Sequence, residues 1–271
     1  MGRIFTYGCS LTNYVWPTWA DIILYKNEGF NLGVTGGGAE QILHRILSTD
    51  LRMGFKEDDV VIVIFPTIFR WDHILTSKSI WSNTGQILNT EFYHSVNEKY
   101  TTLEGCAYKN LNSMLLIKNY LESKNVRYFF GASQNIFENT FDELPEQHFN
   151  LINIVKSELQ FTLKSFNRYI YGDRTTTHWE ITKTFSDSGI NLHPRPTTHF
   201  NWVNDILLPH LDIELKISKD DIQLMESIVD KSKKIEDCFT HFEIKTDYIS
   251  NRLSSKIYFE LEKEKRKMNL I

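Results

Sequence analysis

The sequence has little cysteine, with three residues in a chain of 271. These are Cys9, Cys106 and Cys238, an odd number at wide spacing. Small secreted folds held by disulfides, and zinc sites, both need several cysteines at close and regular intervals. The three residues therefore exclude a disulfide framework and a cysteine-rich metal cluster, and they indicate a reducing compartment or no redox role.

Long apolar runs and an excess of charge of one sign are also missing. No stretch approaches the roughly 20 apolar residues that a membrane helix needs, and no basic segment followed by an apolar one opens the chain as in a secretory signal. The net charge is only −4 at pH 7, whereas nucleic-acid-binding proteins usually present a basic surface. We therefore expect no membrane span, no signal peptide and no nucleic-acid partner.

What the sequence does contain is an ordinary globular composition. Hydrophobic residues make up 41% of the chain, aromatic residues 13% and charged residues 24%. A chain of this length and composition can bury one large core. It predicts one large domain, or one domain with an appendage.

Apolar patterns alternate between strand and helix periods along residues 1–211. The run at 60–65 is unbroken, which is typical of a strand covered on both faces. The predicted strands are 4–7, 30–32, 60–65 and 126–130, and the predicted helices are 16–26, a segment around Ile42 to Leu47, 107–123 and 198–208.

This alternation predicts βαβ units with right-handed crossovers and therefore an α/β domain with a mainly parallel sheet. Ligands of such sheets bind beyond the carboxyl ends of the strands. We therefore expect the chemistry of this protein in the loops that follow Tyr7, Leu32 and Phe65.

Two stretches fall outside this pattern. Residues 71–105 are polar, rich in Trp and Asn, and without a clear period, which predicts an insertion or a lid. Residues 212–271 are densely charged, and Ser218 with Asp221 looks like the start of a helix. We predict a charged helical extension there, which either packs on the domain or mediates self-association.

The first motif with chemical meaning is residues 7–12, Tyr-Gly-Cys-Ser-Leu-Thr. A strand that ends in glycine and then presents Ser10 places a hydroxyl at the carboxyl edge of the sheet. Backbone N–H groups at a following helix start can stabilise the negative charge that forms when a serine attacks a carbonyl group. The same fragment alone is also typical of a simple turn.

The second motif is residues 31–38, Asn-Leu-Gly-Val-Thr-Gly-Gly-Gly. Glycines allow backbone amides to face a ligand closely. A phosphate-binding loop is the alternative, although no P-loop lysine follows and the Gly-x-Gly-x-x-Gly spacing is met only loosely.

The third motif is residues 191–199, Asn-Leu-His-Pro-Arg-Pro-Thr-Thr-His, directly before a predicted helix. His193 in a proline-bounded loop could reach across the sheet edge to Ser10 as a general base. His199 is interpreted as a residue that caps or packs at the start of the helix.

Together these blocks resemble the SGNH (GDSL-like) hydrolases over about residues 3–210. The pattern around Ser10, Trp16 and Trp19, with His193 downstream, resembles uncharacterised SGNH-like proteins of marine bacteriophages. The resemblance implies a three-layer α/β/α sandwich of the SGNH or flavodoxin-like kind. It also implies Ser10 as nucleophile, His193 as base, and the backbone N–H groups of Ser10 and Gly36 as oxyanion donors.

The sequence departs from the family pattern in three places. The family's third oxyanion donor is an asparagine after the central strand, and here Thr67 is the candidate, with Arg70 as a residue that binds an anionic or sugar group or forms a rim salt bridge. Asn191 stands where a carboxylate would orient the histidine. Cys9 stands where the family has aspartate before the serine, a position that mainly supports the turn.

Aromatic residues of the 71–105 stretch are candidates for contact with a sugar, because aperiodic loops over a sheet edge commonly form binding walls. They are Trp71, Trp81 and Tyr93. Trp16 and Trp19 are interpreted as packing residues of a helix, with a carbohydrate platform as the alternative.

The main functional hypothesis is a serine-dependent esterase or deacetylase. It would act on an acylated carbohydrate or a small ester through an acyl-enzyme at Ser10, with no metal and no organic cofactor. The alternative is a catalytically impaired SGNH-shaped binding or structural module, for example in a virion. An acyltransferase is a third option. The expected location is the host cytoplasm or the virion, and the C-terminal helices could support a homo-oligomer or virion assembly.

Overall fold

The computed structural model describes most of the chain between Gly2 and Leu253. The described residues are 2–14, 16–75, 80–86, 103–132, 164–165, 194–231 and 252–253. His193, Asn191, Tyr93 and Cys238, which the sequence analysis singled out, lie outside them.

Strands and helices alternate along the described residues. The strands are β1 (Ile4–Gly8), β2 (Gly29–Asn31), β3 (Val60–Phe65), β4 (Arg70–Leu75), β5 (Ile80–Gln86), β6 (Arg127–Ala132), β7 (Lys164–Ser165) and β8 (Arg252–Leu253). The helices are α1 (Trp19–Leu24), α2 (Ala39–Met53), α3 (Leu103–Ser123), α4 (Pro196–Trp202) and α5 (Lys219–Lys231).

Six strands form one sheet in the order β7-β6-β3-β1-β2-β8. β1 pairs in parallel with β2 and with β3, β3 pairs in parallel with β6, and β6 with β7. The short strand β8 is antiparallel to β2. β4 and β5 form a separate antiparallel hairpin.

The two faces of the sheet are covered by different helices, since successive side chains of a strand point to opposite faces. Ile4, Val60, Ile62 and Ile64 contribute to a first core with α1, α4 and α5. A second core joins the opposite face to α2 and α3, with strand residues Phe5, Tyr7, Val61, Val63 and Phe65. The molecule is thus an α/β domain of three layers with a mainly parallel sheet, which confirms the predicted fold class.

β1 lies at the point where the strand order reverses. The chain passes from β1 to β2 by α1 on one face, and from β2 back to β3 by α2 on the other face. The crevice at such a switch point, beyond the carboxyl ends of the strands, is where ligands of open α/β sheets bind. Here it is bordered by the loops after β1, β2 and β3.

Several element bounds differ from those that the sequence predicts. α1 begins at Trp19 rather than at residue 16, because Pro17 precedes it and the Asp21 carboxylate accepts the Thr18 backbone N–H at 2.9 Å. This is the acidic half of a capping box. The helix predicted at 198–208 is α4 followed by a π-helical turn at Val203–Leu207.

The aperiodic stretch that begins at residue 71 contains regular structure. The hairpin of β4 and β5 occupies its first part, and α3 starts at Leu103, inside the stretch and earlier than the predicted residue 107. Among the described strands, β4 and β5 pair with each other and not with the main sheet. The role of residues 71–105 as an insertion or lid stays a prediction.

In the charged C-terminal stretch, α5 packs on the domain. Ile222, Met225 and Val229 are buried in the first core. The Ser218 hydroxyl accepts the Asp221 backbone N–H at 3.1 Å, and the Asp221 carboxylate accepts the Ser218 backbone N–H at 3.1 Å, so the predicted helix start is confirmed. No helix in the described part of the chain combines the length and apolarity that crossing a bilayer requires.

Candidate active site

Ser10 lies in a tight helical turn directly after β1. The Cys9 carbonyl accepts the backbone N–H groups of Thr12 at 2.9 Å and Asn13 at 3.1 Å. Ser10 is only 7% exposed. The turn therefore places a sheltered hydroxyl at the carboxyl end of a central strand, where the sequence predicts a nucleophile.

Gly8 precedes this turn because the backbone approaches its neighbours too closely there for any side chain. A Cβ at this position would lie 2.8 Å from the Ile64 carbonyl oxygen and would overlap the Thr12 side chain. The glycine thus allows the ends of β1 and β3 to meet, with Gly8 opposite Ile64 in the parallel register.

The loop after β2 is bonded to the Ser10 turn. The Gly8 carbonyl accepts the Val34 N–H at 2.9 Å, and the Asn13 side-chain amide donates to the Gly33 carbonyl at 3.0 Å. Gly36 lies two residues beyond Val34 and has φ of +80°, a conformation that favours glycine. The glycine block and the serine block predicted from the sequence are therefore brought together.

A network of buried hydrogen bonds stabilises the loops after β1 and β2. The Thr12 carbonyl accepts the Thr18 hydroxyl at 2.5 Å and the Asn31 side-chain amide at 2.8 Å. The same Asn31 amide donates to Asp21 at 3.0 Å. The roles of Thr12, Thr18 and Asp21 were not predicted from the sequence, although the Thr-x-x-Asp spacing of residues 18–21 is that of a helix cap.

The N-terminus of α2 has most of its amide donors already bound. Asp72 accepts the Gly38 N–H at 2.8 Å and the Gln41 N–H at 3.0 Å, and the Asn110 side-chain oxygen accepts the Ala39 N–H at 3.0 Å. A phosphate-binding loop needs these amides for its ligand. The arrangement therefore argues against the phosphate-binding alternative for the glycine block.

Asp72 is a buried carboxyl group without an ion pair among the described residues. Burial raises its pKa, the hydrogen bonds from Gln41 and Gly38 oppose this only in part, and the nearby Glu40 adds to the increase. Asp72 is part of the sequence stretch 65–72, but nothing in that stretch predicts that it accepts a hydrogen bond from Gly38 at the N-terminus of α2, 34 residues earlier in the chain.

Thr67 lies in the loop after β3, next to the Ser10 turn in the order of the strands. It is 7% exposed, and its hydroxyl oxygen accepts the Phe69 N–H at 3.4 Å. A threonine hydroxyl also has one proton to donate. The Thr67 hydroxyl can therefore still donate a hydrogen bond to a ligand oxygen atom at the same edge of the sheet.

Arg70 begins β4 just beyond Thr67 and is partly buried. Its carbonyl accepts the Asn110 amide at 2.8 Å and the Cys106 thiol at 3.0 Å. Its Nε is buried and makes no hydrogen bond to a described residue. The rim salt bridge considered for Arg70 is therefore not formed within the described residues.

The other predicted substrate contacts have different surroundings. Trp71 is partly buried and packs against the second core. Trp81 lies in β5, and its side chain is outside the described part of the chain.

Burial raises the pKa of the Cys106 thiol to about 12, so this cysteine stays protonated and is a poor nucleophile.

The segment that follows His193 reaches the Ser10 side of the domain. The indole N–H of Trp16 donates to the Pro194 carbonyl at 2.9 Å across 178 residues of chain. His193 and Asn191 themselves lie outside the described residues, so their roles stay predictions. His199 is 1% exposed within α4, as expected for a packing residue.

The fold and the loops after β1, β2 and β3 define the class of protein. It is a three-layer α/β domain with a buried serine at the switch point of its sheet. No protein-family model matches the sequence, and no curated protein matches it.

Among solved structures, the chain is similar to a GDSL-like lipase from Bacteroides thetaiotaomicron. The identity is 12% and the TM-score 0.41, over 76% of this chain and 86% of that one. It is also similar to a catalytic mutant of an acetylxylan esterase from Geobacillus stearothermophilus, with 11% identity and a TM-score of 0.44, over 80% and 97% of the two chains.

Proposed function

We propose that the protein is a serine-dependent ester hydrolase with Ser10 as its nucleophile. The Ser10 oxygen attacks the carbonyl carbon of an ester while His193 accepts the hydroxyl proton. The bond between the carbonyl carbon and the alcohol oxygen then breaks, and the alcohol leaves with that proton. Water attacks the acyl-enzyme in the second half of the cycle and releases the acid and free Ser10.

The observation that supports this proposal is the convergence of distant segments on one edge of the sheet. The turn that contains Ser10 is hydrogen bonded to the glycine loop through Gly8 and Val34. The residue after His193 is hydrogen bonded to Trp16, six positions beyond Ser10. A nucleophile, backbone donors and a general base are needed within a few ångströms of one another, and we propose that they meet at this edge.

Three donors are proposed for the oxyanion that forms during attack. They are the backbone N–H groups of Ser10 and Gly36 and the hydroxyl of Thr67. The substrate class is an acetyl or acyl ester of a carbohydrate or a small alcohol, with Arg70, Trp71 and Trp81 as candidate contacts. A guanidinium whose buried Nε makes no hydrogen bond to a described residue suits an anionic or polyhydroxylated group.

The test is hydrolysis of p-nitrophenyl acetate and of an acetylated xylan by wild type and Ser10→Ala. We expect Ser10→Ala to lose at least ~10³-fold in kcat, since the nucleophile is removed. Ser113→Ala is the matched control, because Ser113 is also buried and, among the described residues, its hydroxyl donates only to the Lys109 carbonyl within α3. Equal rates in Ser10→Ala and wild type would remove the proposal.

The alternative is a binding or structural module with an impaired site, and the sequence feature that favours it is Asn191 in place of a carboxylate. Labelling by a fluorophosphonate probe separates the two. Covalent modification of Ser10 supports the hydrolase. Absence of labelling in folded protein favours the module, for which self-association or assembly in a virion through the C-terminal helices is then the proposed role.

A further inference from the structure

A hydrogen bond joins the segment after Ser10 to the segment after His193, the two residues of the proposed catalytic pair. The Trp16 indole N–H and the Pro194 carbonyl are 2.9 Å apart, and both residues are buried. Trp16 belongs to the connection between the Ser10 turn and α1. Pro194 follows His193 directly in the chain. The bond therefore ties the serine segment to the histidine segment.

Each partner of this bond is fixed by its own surroundings. The Trp16 ring packs edge-on against Tyr14 with ring centroids 4.6 Å apart. On the other side, Arg195 donates to Glu226 at 2.7 Å and to Asp230 at 2.5 Å. These contacts come from α5, so the peptide after His193 is held from two directions.

The Glu226 carboxylate fixes the same segment a second time. It accepts the Thr197 backbone N–H at 2.6 Å at the beginning of α4. Burial alone would lower the pKa of Arg195, but Glu226 and Asp230 outweigh it and raise that pKa, which keeps the guanidinium charged. Arg195 and Thr197 are therefore held by α5, while the Trp16–Pro194 hydrogen bond links the same segment to the connection that follows Ser10.

We infer that Trp16 is a positioning residue that sets the approach of the His193 imidazole to Ser10. This inference rests on the proposed function. Consecutive Cα atoms are 3.8 Å apart, so a fixed Pro194 carbonyl restricts where the histidine can lie. A general base must come within about 2.6–3.2 Å of the hydroxyl it deprotonates, and small displacements of catalytic groups can cost about 10²-fold in rate.

The first experiment compares Trp16→Phe with Trp19→Phe. Both tryptophans are fully buried, but the Trp19 indole N–H has no hydrogen-bond partner among the described residues and its ring packs on Trp202. We expect Trp16→Phe to lower kcat for p-nitrophenyl acetate about 10-fold or more with KM nearly unchanged. Trp19→Phe should stay within about 3-fold of wild type while lowering Tm to a similar degree.

The second experiment is a double-mutant cycle with His193→Ala, read as the rate at which a fluorophosphonate probe labels Ser10. If Trp16 acts through the histidine, Trp16→Phe slows labelling in wild type and has no further effect in His193→Ala. Equal slowing in both backgrounds would overturn the inference, since Trp16 would then act on the serine turn itself. A rate for Trp16→Phe equal to that of Trp19→Phe would also overturn it.

A second way to remove the bond covers the case in which Trp16→Phe does not fold. Incorporation of β-(3-benzothienyl)alanine replaces every indole N–H by sulfur while the two rings stay in place. Slower labelling of the wild-type sequence, with no change in His193→Ala, supports the inference, and equal slowing opposes it. Wild type and Ser10→Ala with the same activity would instead contradict the proposed function, so the two failures are distinct.

Discussion

Two buried aspartates at opposite edges of the sheet behave in opposite ways. Asp59, just before β3, accepts the Arg3 guanidinium at 2.6 Å and the Arg3 backbone N–H at 2.8 Å. Burial would raise its pKa, but these contacts and the Lys56 N–H outweigh burial and lower it. Asp72, beyond the other end of β3, accepts only backbone N–H groups, and burial raises its pKa.

The difference shows how the two edges are used. At the amino edge the Arg3–Asp59 ion pair joins the start of β1 to the start of β3. At the carboxyl edge a carboxylate orients the start of α2 and so holds the glycine loop, while the buried Nε of Arg70 makes no hydrogen bond to a described residue. The same residue type thus stabilises the fold at one edge and shapes loops at the other.

The largest loss of stability is expected when the Asp59 carboxylate loses its partner Arg3. Arg3→Met leaves Asp59 buried without its partner and should lower the free energy of unfolding by about 3–5 kcal/mol. Arg70→Met is the matched control at the other edge and should cost less than ~1 kcal/mol, because Arg70 has no ion pair among the described residues. Urea unfolding at pH 7 measures both. Similar losses in the two variants would break the comparison.

The pH dependence of two amide variants should have opposite signs. The pKa of Asp59 in the folded protein is below its ordinary value of 3.8, so its contribution is present above that pH and lost as pH falls through the lowered pKa. The pKa of Asp72 is above 3.8, so its contribution is complete below 3.8 and lost as pH rises through the raised pKa.

We therefore expect the cost of Asp59→Asn to shrink on acidification and the cost of Asp72→Asn to grow, reaching about 1–3 kcal/mol at its largest. Denaturant unfolding of both variants and wild type from neutral pH to below 3.8 tests this. Parallel trends in the two variants would mean that the contrast between the carboxylates is not electrostatic.

The last comparison concerns two glycines with positive φ, one at each edge. Gly36 has φ of +80° at the carboxyl edge, and Gly54 has φ of +62° near Arg3 at the amino edge. Alanine at either position should cost about 1–2 kcal/mol of backbone strain. Only Gly36→Ala should also lower esterase activity, since it displaces a proposed oxyanion donor. Unfolding and p-nitrophenyl acetate assays on both variants decide this, and unchanged activity in Gly36→Ala would exclude its loop from the site.

Much of the fold follows from local sequence patterns. β3 was predicted with both of its bounds correct because Val60 to Phe65 is apolar on both faces. The edge that unites Ser10, Gly36 and Thr67 was predicted because parallel strands place their carboxyl ends together. These inferences need only the type of each element and its order in the chain.

The missing parts depend on long-range contacts that no local pattern encodes. Asp72 caps a helix from a hairpin that lies outside the main sheet, and Trp16 bonds a carbonyl 178 residues away. The start of α1 at Trp19 is a different case, because it could have been predicted locally. Thr18 and Asp21 have the spacing of a helix cap, but the helix was predicted to begin at the apolar residue Trp16. The predicted histidine and its partner Asn191 lie outside the described residues.

The division of the two cores along the chain has a consequence for biosynthesis. The strands β1, β3 and β6 and the helices α2 and α3 of the second core all emerge by Ala132, whereas α4 and α5 complete the first core only at Lys231. At about 5–20 residues per second, ribosomal synthesis of the intervening roughly 100 residues takes about 5–20 s. During that interval α1 alone, among these helices, shields one side of the nascent sheet, so this interval is when chaperones would most readily bind the chain.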